Sequence, residues 1–243
     1  MIKKGNIKEY EWIKNGIKPL LRVDDTRWKG NTVGNLLPNV FEKYIKILHP
    51  MYKDKFFTDK SILWSETVDD EVVCGDRILW KELAREYDVQ YKPEINIHAF
   101  FKAKNRGWPR YLISADEGTL DKDHVSEIVD ILKQINCGRY FYYYDFLKTS
   151  DWLAGDKLYE GDLEGIFELT KLEDIRDYFE GDWKFSPSYW WLENREVCIC
   201  TDYDLHFTIV GCNKEIMNSF MERSLLECIE VFYDTRIDYK AME

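Results

Sequence analysis

The sequence predicts an α+β fold, a single domain in which helices pack on an antiparallel or mixed sheet. Three observations predict it. Pro187–Gly211 reads as two strands joined by a polar turn and preceded by a tryptophan pair. Val125, Ile128, Val129, Leu132 and Ile135 recur at helical spacing, as do Ile216, Met217, Phe220, Met221, Ser224, Leu225, Cys228, Ile229 and Phe232. Arg139–Phe146 is a short aromatic run with three consecutive tyrosines, whose alternation sets Phe141 and Tyr143 against Tyr142 and Tyr144.

Along the chain, residues 1–16 are Lys-rich with Tyr10, Trp12 and Ile13, which predicts a short helix packed on the outside. Pro19–Val23 is expected to be a short strand, and Asn31–Asn35 a loop. Pro38 suits a first helical position, because its missing N–H would be orphaned there anyway. Phe41, Tyr44, Ile45 and Leu48 then predict a helix over 38–48, stopped by Pro50. His49 would sit at its C-terminus, where the dipole favours a cation.

Lys53–Thr67 reads as loop with one apolar run at Ile62–Trp64. Asp76 is a plausible N-cap for a helix over 77–87. Glu94–Phe101 alternates like a strand, with His98 opposite Ile97 and Ala99, and Arg110–Ser114 is a second short strand. Asp121 or Asp123 caps the helix to residue 136. Residues 151–182 hold 11 Asp and Glu against 3 Lys and Arg, with a short helix expected at Glu173–Phe179. In the central stretch Arg195–Tyr203 is one strand. Val197, Ile199 and Thr201 face one way, and Cys198, Cys200 and Asp202 the other. Asp204–Leu205 make the turn, His206–Gly211 returns, and Asn213 caps the last helix over 213–231.

The whole chain, 1–243, is expected to be one globular domain: a peripheral N-terminal segment over 1–34, a core over 35–232 and a tail over 233–243. A length of 243 residues is enough to bury a core, and 16% aromatic residues argue against disorder. The formal net charge of −11 disfavours nucleic-acid binding. That charge is uneven. Residues 1–60 carry 13 Lys and Arg against 7 Asp and Glu, and the remainder carries 21 against 38. An acidic face of this kind can steer a basic protein partner. No apolar run approaches the ~20 residues that span a bilayer, so no membrane association is expected. No signal-peptide run follows Met1, and the six cysteines read as reduced, small apolar residues of a cytoplasmic protein.

Motifs that carry known chemistry are missing. There is no Gly-x-Ser-x-Gly elbow, Walker loop, Gly-x-Gly-x-x-Gly, Cys-x-x-Cys or His-Glu-x-x-His. The spacing at 160–164 does not reproduce a calcium loop. No catalytic residue, metal ligand or cofactor is therefore nominated. The candidate binding residues are Trp190, Trp191, Arg195, Asp202, Asp204 and His206. Adjacent residues of an extended segment point opposite ways, which leaves room for one exposed tryptophan beside charged groups. Two function classes follow. The first is a non-enzymatic, immunity-like protein that binds another protein through an acidic aromatic surface. The second is a small-molecule-binding protein or enzyme with a pocket around those residues.

Three segments together resemble an uncharacterised family of bacterial, mostly actinobacterial, cytosolic proteins. They are Leu37-Pro38-x-x-Phe41-x-x-Tyr44 continuing to His49-Pro50; Glu117-Gly118-Thr119-Leu120; and Pro187-Ser188-x-Trp190-Trp191, Arg195, Thr201-Asp202-x-Asp204 and Thr208-x-Val210-Gly211. The resemblance covers roughly residues 36–230. Leu192, Asn194 and Val197 depart from it, standing where the family has Pro, Asp and Trp. It implies a fold and a cytosolic setting, and no activity. The Leu-Pro-x-x-Phe segment is also similar to the opening helix of SUKH-type immunity proteins.

Overall fold

Five residues, Tyr140-Phe141-Tyr142-Tyr143-Tyr144, are all buried. A strand can bury every side chain only if both faces of its sheet are covered. That requirement shapes the molecule, which the computed structural model describes over residues 1–67, 71–104, 107–135, 138–145, 156–169, 171–172 and 186–242.

In chain order the strands are β1 (Lys3–Lys4), β2 (Lys43–Leu48), β3 (Met51–Asp54), β4 (Cys74–Ile78), β5 (Leu112–Ile113), β6 (Tyr140–Tyr144), β7 (Lys157–Gly161), β8 (Tyr189–Leu192), β9 (Cys198–Cys200), β10 (Phe207–Cys212) and β11 (Glu227–Val231). The helices are α1 (Glu11–Gly16), α2 (Trp80–Glu86), α3 (Ile97–Lys104), α4 (Lys122–Ile135), α5 (Ile166–Leu169) and α6 (Lys214–Met221). Eight strands form one sheet in the order β1-β7-β6-β8-β9-β10-β2-β11, and three form a second in the order β4-β3-β5. Every pairing is antiparallel. The fold is α+β.

The large sheet separates two cores. Ile45, Ile47, Tyr142, Trp190, Ile199 and Val210 point to the side covered by α4 and α6. Tyr44, Leu48, Phe141, Trp191, Cys198 and Ile209 point to the other side, against α1, α2, α3 and the small sheet. The alternation expected for Phe141–Tyr144 and for Val197–Cys200 is therefore correct. So are α4 and the Asn213 cap, whose side chain accepts from the Ile216 N–H at 2.9 Å.

Other expectations are corrected. Residues 43–48 are a strand, not part of a helix over 38–48. β2 lies between β10 and β11 and is buried on both faces, so its near-continuous apolar run fits helical spacing by accident. His49 accordingly has no helix C-terminus beside it. Residues 97–104 are helical, not part of a strand. Ile97 and Phe100, three apart, both enter one core. The helix expected over 77–87 begins at Trp80, because 74–78 pair with β3.

The helix expected over 213–231 stops at Met221. In the following segment Leu226 is buried and Glu227–Val231 form β11 at the sheet edge, with Ile229 and Val231 buried. Residues 19–23 form no strand, and 53–54, expected to begin a loop, end β3. Arg195 is in a turn with φ 64, not in a strand. The expected helix at Glu173–Phe179 and much of the acidic stretch lie outside the described residues.

Glu227 links the layers. Its carboxylate accepts from the Trp80 N–H at 2.7 Å and the Lys81 N–H at 2.8 Å, so β11 caps the N-terminus of α2 with a negative charge. The Trp80 indole N–H in turn donates to the His49 carbonyl at 2.7 Å.

Because both tryptophans of β8 are enclosed, Trp190→Ala and Trp191→Ala should each cost about 3–5 kcal/mol in denaturant unfolding. If either variant loses less than ~0.5 kcal/mol, the value for a surface site, that face of the sheet is not closed.

Candidate functional site

The six candidate residues do not converge. Trp190 and Trp191 are 0% and 1% exposed, on opposite faces of the sheet. Trp190 stacks on Tyr142, with ring centroids 6.4 Å apart, and Trp191 on Phe141 at 5.4 Å. Neither offers a surface. Arg195 is in the β8–β9 turn, its guanidinium 5.1 Å from the Trp12 ring. The strand registers place that turn at the end of the sheet opposite the β9–β10 turn, which holds Asp202, Asp204 and His206.

At this second end is a cleft of about 260 Å³. Asp204, Leu205, His206 and Phe207 form one side of it, and Asn96, Ile97 and His98 at the start of α3 another. Trp28 and Asn31 come from the N-terminal segment, and Asp238 and Tyr239 from the C-terminal one. The segments around Asn31–Val33 and Thr235–Ile237 meet here through backbone bonds. The Val33 N–H donates to the Thr235 carbonyl at 3.0 Å, and the Ile237 N–H to the Asn31 carbonyl at 2.9 Å.

The turn that presents Asp204 is held locally. The Asp202 carboxylate accepts from the Asp204 N–H at 3.1 Å, an Asx turn. Burial raises the Asp202 pKa, and that N–H partly offsets the rise. The Gly118 N–H donates to the Leu205 carbonyl at 3.0 Å. Gly118 has φ +67, and a Cβ there would lie 2.4 Å from the Tyr203 Cα, so glycine is needed at this junction. His206 Nε2 lies 3.3 Å from the Glu117 carboxylate. That carboxylate is mostly exposed and screened, so burial and the neighbouring His98 prevail. They push the His206 pKa down to about 4, leaving a neutral imidazole at pH 7.

Two buried polar side chains sit behind the cleft. Lys46 lies under Phe207, its Nζ 4.1 Å from the ring centroid, and donates to the carbonyls of Pro93, at 3.2 Å, and Ile95. Burial pushes its pKa down to about 7, with Glu94 opposing. His49 lies on the other face of the sheet. Its Nδ1 is 2.7 Å from the Asp116 carbonyl, which can only accept, so Nδ1 carries the proton. Nε2 therefore accepts from the Thr208 hydroxyl at 3.0 Å, and that hydroxyl accepts from Thr201 at 2.8 Å. This relay crosses β9, β10 and the end of β2 and holds the loop that carries Glu117 and Gly118. Both ring nitrogens are occupied, so His49 acts as structure.

Sequence reasoning reached Asp204 and His206 and missed Trp28, Asn96 and Tyr239. His98, read there as a strand residue, reaches the cleft from a helix. Nothing in local spacing joins residues 28, 96 and 239; the pairing of 31–33 with 235–237 brings the first and last of them together. Among the described residues no group of three or more His, Cys, Asp or Glu side chains could hold a metal ion. Burial raises the Cys198 and Cys200 thiols well above their ordinary pKa, which keeps them protonated.

Burial pushes the His49 pKa down to about 4, against about 6.5 for an unperturbed His. The unfolded chain takes up this proton first as pH falls, so the stability His49 contributes is complete above pH 6.5 and is lost down to pH 4. His206 shifts the same way, whereas the raised carboxyls of Asp116 and Asp202 act in the opposite sense. Unfolding free energy should drop by roughly 3 kcal/mol over that window for His49 alone. His49→Asn, less stable at pH 7, should show a flatter profile. An unchanged slope in that variant would contradict a buried neutral His49. No protein-family model matches the chain, nor does any curated protein or solved structure.

Proposed function

We propose that this chain is a binding protein and that its recognition element is the cleft at the Asp204–His206 end of the large sheet. One observation carries the reading: two candidate residues chosen from the sequence line a cavity that also gathers Trp28, Phe207 and Tyr239. Aromatic walls with a few polar groups are the usual make-up of a ligand site. Rigid support favours binding too, because the cleft's turn is tied to the Gly118 loop and so to the His49 relay. Catalysis has less behind it. Burial leaves the His206 imidazole a weak base, with its pKa down to about 4, the cysteines of β9 are protonated and enclosed, and both His49 nitrogens are occupied.

A second reading is a protein partner, an immunity-like interaction with a basic protein in the cytoplasm being one instance. The charge distribution favours it: residues 61–243 carry 38 acidic side chains against 21 basic ones.

The two readings share a test. The protein is screened by thermal shift against a panel of small metabolites, alongside Trp28→Ala, which removes one wall of the cleft. Compounds that stabilise the wild type should lose at least tenfold in affinity in Trp28→Ala. Hits indifferent to that change would place binding elsewhere. A partner captured from host lysate at low salt and released at high salt, with no metabolite hit, would favour the protein-partner reading.

A further inference from the structure

We infer that the outer edge of β11 is a self-association surface, occupied by a second copy of this chain, strand against strand. The inference is independent of the cleft. β11 is the last strand of the eight-stranded sheet and, among the described residues, pairs only with β2. The hydrogen-bond phase of the sheet fixes what its outer side offers. The His49 N–H donates to the His206 carbonyl at 3.0 Å, which makes these two a hydrogen-bonded pair at the end of the β2–β10 ladder. Such pairs alternate, so Ile47 and Ile45 also bond toward β10, and Leu48, Lys46 and Tyr44 bond toward β11. Their partners Glu227, Ile229 and Val231 therefore turn their backbone groups inward. Cys228 and Glu230 turn theirs outward, and among the described residues no hydrogen bond reaches them from outside. The open stretch is bounded. Arg77 donates to the Leu225 carbonyl before the strand, and Thr235 takes both the N–H and the C=O of Phe232 after it.

The other sheet edges are guarded. β1 is two residues long, both of them lysine, β5 has two residues, and the pairing of β4 with β3 is broken by a register shift at Tyr52–Asp54. Short strands, lysines and bulges are the means by which edges avoid pairing. β11 has five residues, an unbroken register, and neither Lys nor Pro. Its two charges are already engaged: the Glu227 carboxylate holds the N-terminus of α2, and the Glu230 carboxylate lies 2.9 Å from the Lys43 ammonium.

A two-fold axis at Ile229 makes this edge complementary to itself. Cys228 then lies opposite Glu230 of the second copy, and Glu230 opposite Cys228, so every outward N–H and C=O of both strands meets a partner. A slip of two residues one way sets Glu230 against Glu230, with like charges face to face. The same slip the other way leaves Glu230 opposite Leu226, outside the strand. The flanks match as well. Phe232, 66% exposed, follows the strand at one end, and Leu225, 37% exposed, precedes it at the other. Antiparallel pairing sets the end of one strand beside the start of the other, so each exposed Phe232 gains an apolar neighbour. Five-residue strands bury less than the standard interface of about 1,600 Å², and each chain carries a net charge of −11, so the dimer is weak, with a Kd on the order of 10–100 µM.

The test is sedimentation velocity of the full chain from about 1 to 500 µM, with amide hydrogen exchange at both limits. The mass should rise toward twice the monomer's with concentration, and more readily at high salt, which screens the like charge of the two copies. The Cys228 and Glu230 amides should exchange fast when dilute and be protected when concentrated, while the Ile229 amide is protected at both. Glu230→Pro removes an N–H that β2 does not use, and proline is tolerated at such edge positions, so Kd should rise about tenfold or more. Glu230→Gln, which keeps the backbone group, should still dimerise. Phe232→Ser, at an exposed site, should fold and weaken the dimer about tenfold, and it carries the test if the proline variant does not fold. A monomer at every concentration overturns the inference. So does a dimer that leaves the Cys228 and Glu230 amides unprotected, or one that Phe232→Ser leaves unchanged. Protection of those two amides only in a complex with a different protein assigns the edge to a foreign strand and overturns the second copy.

Discussion

Trp190 and Trp191 are adjacent in one strand, so their side chains leave it in opposite directions. Each is enclosed, and that single constraint requires a covering layer on both faces of the large sheet. The chain supplies them from different places: α4 and α6 on one face, and α1, α2, α3 and the small sheet on the other. The aromatic run of β6 pairs with β8 in register, Phe141 with Trp191 and Tyr142 with Trp190, so large rings meet large rings across the strands. Such cross-strand aromatic pairs add to simple burial and pin the register.

A sheet closed on both faces exposes mainly its ends, and the two ends differ. At one, Arg139 and Arg195 stand with Glu193. At the other, the turn with Asp202 and Asp204 meets the loop through Gly118, and the segments around Trp28–Asn31 and Ile237–Tyr239 close the remaining side. The polar groups buried near this second end, Lys46 and His49, each have specific acceptors or donors. The cleft differs in make-up, since it gathers the Trp28, Phe207 and Tyr239 rings beside Asp204 and His206.

Much of the fold was legible where one period had no rival. The stripe of α4, the facing of β6 and the alternation of Val197–Cys200 follow from side-chain geometry alone. The failures share a cause. β2 is buried on both sides, so its apolar residues satisfy the strand and helix patterns together, and Pro38 tipped the reading to helix. In α3 the order Ile95, Ile97, Ala99 and Phe101 alternates, while the helical pair Ile97 and Phe100 is equally present. In β11 the stripe of α6 runs on past Met221 into residues that alternate. The candidate site was legible in part. Asp204 and His206 stood out as polar residues at a strand turn, whereas Trp28, Asn96 and Tyr239 are joined only by tertiary structure.

The central claim is that the aromatic pair of β8 is scaffold and that recognition belongs to Trp28 in the cleft. The nine tryptophan indole N–H signals of the ¹⁵N-labelled protein, followed by NMR during titration with a metabolite that stabilises the chain in the thermal-shift screen, test it most directly. The account predicts that the Trp28 signal, assigned with Trp28→Phe, moves saturably while those of Trp190 and Trp191 stay in place. Movement of the Trp190 or Trp191 signal with Trp28 unmoved would contradict it.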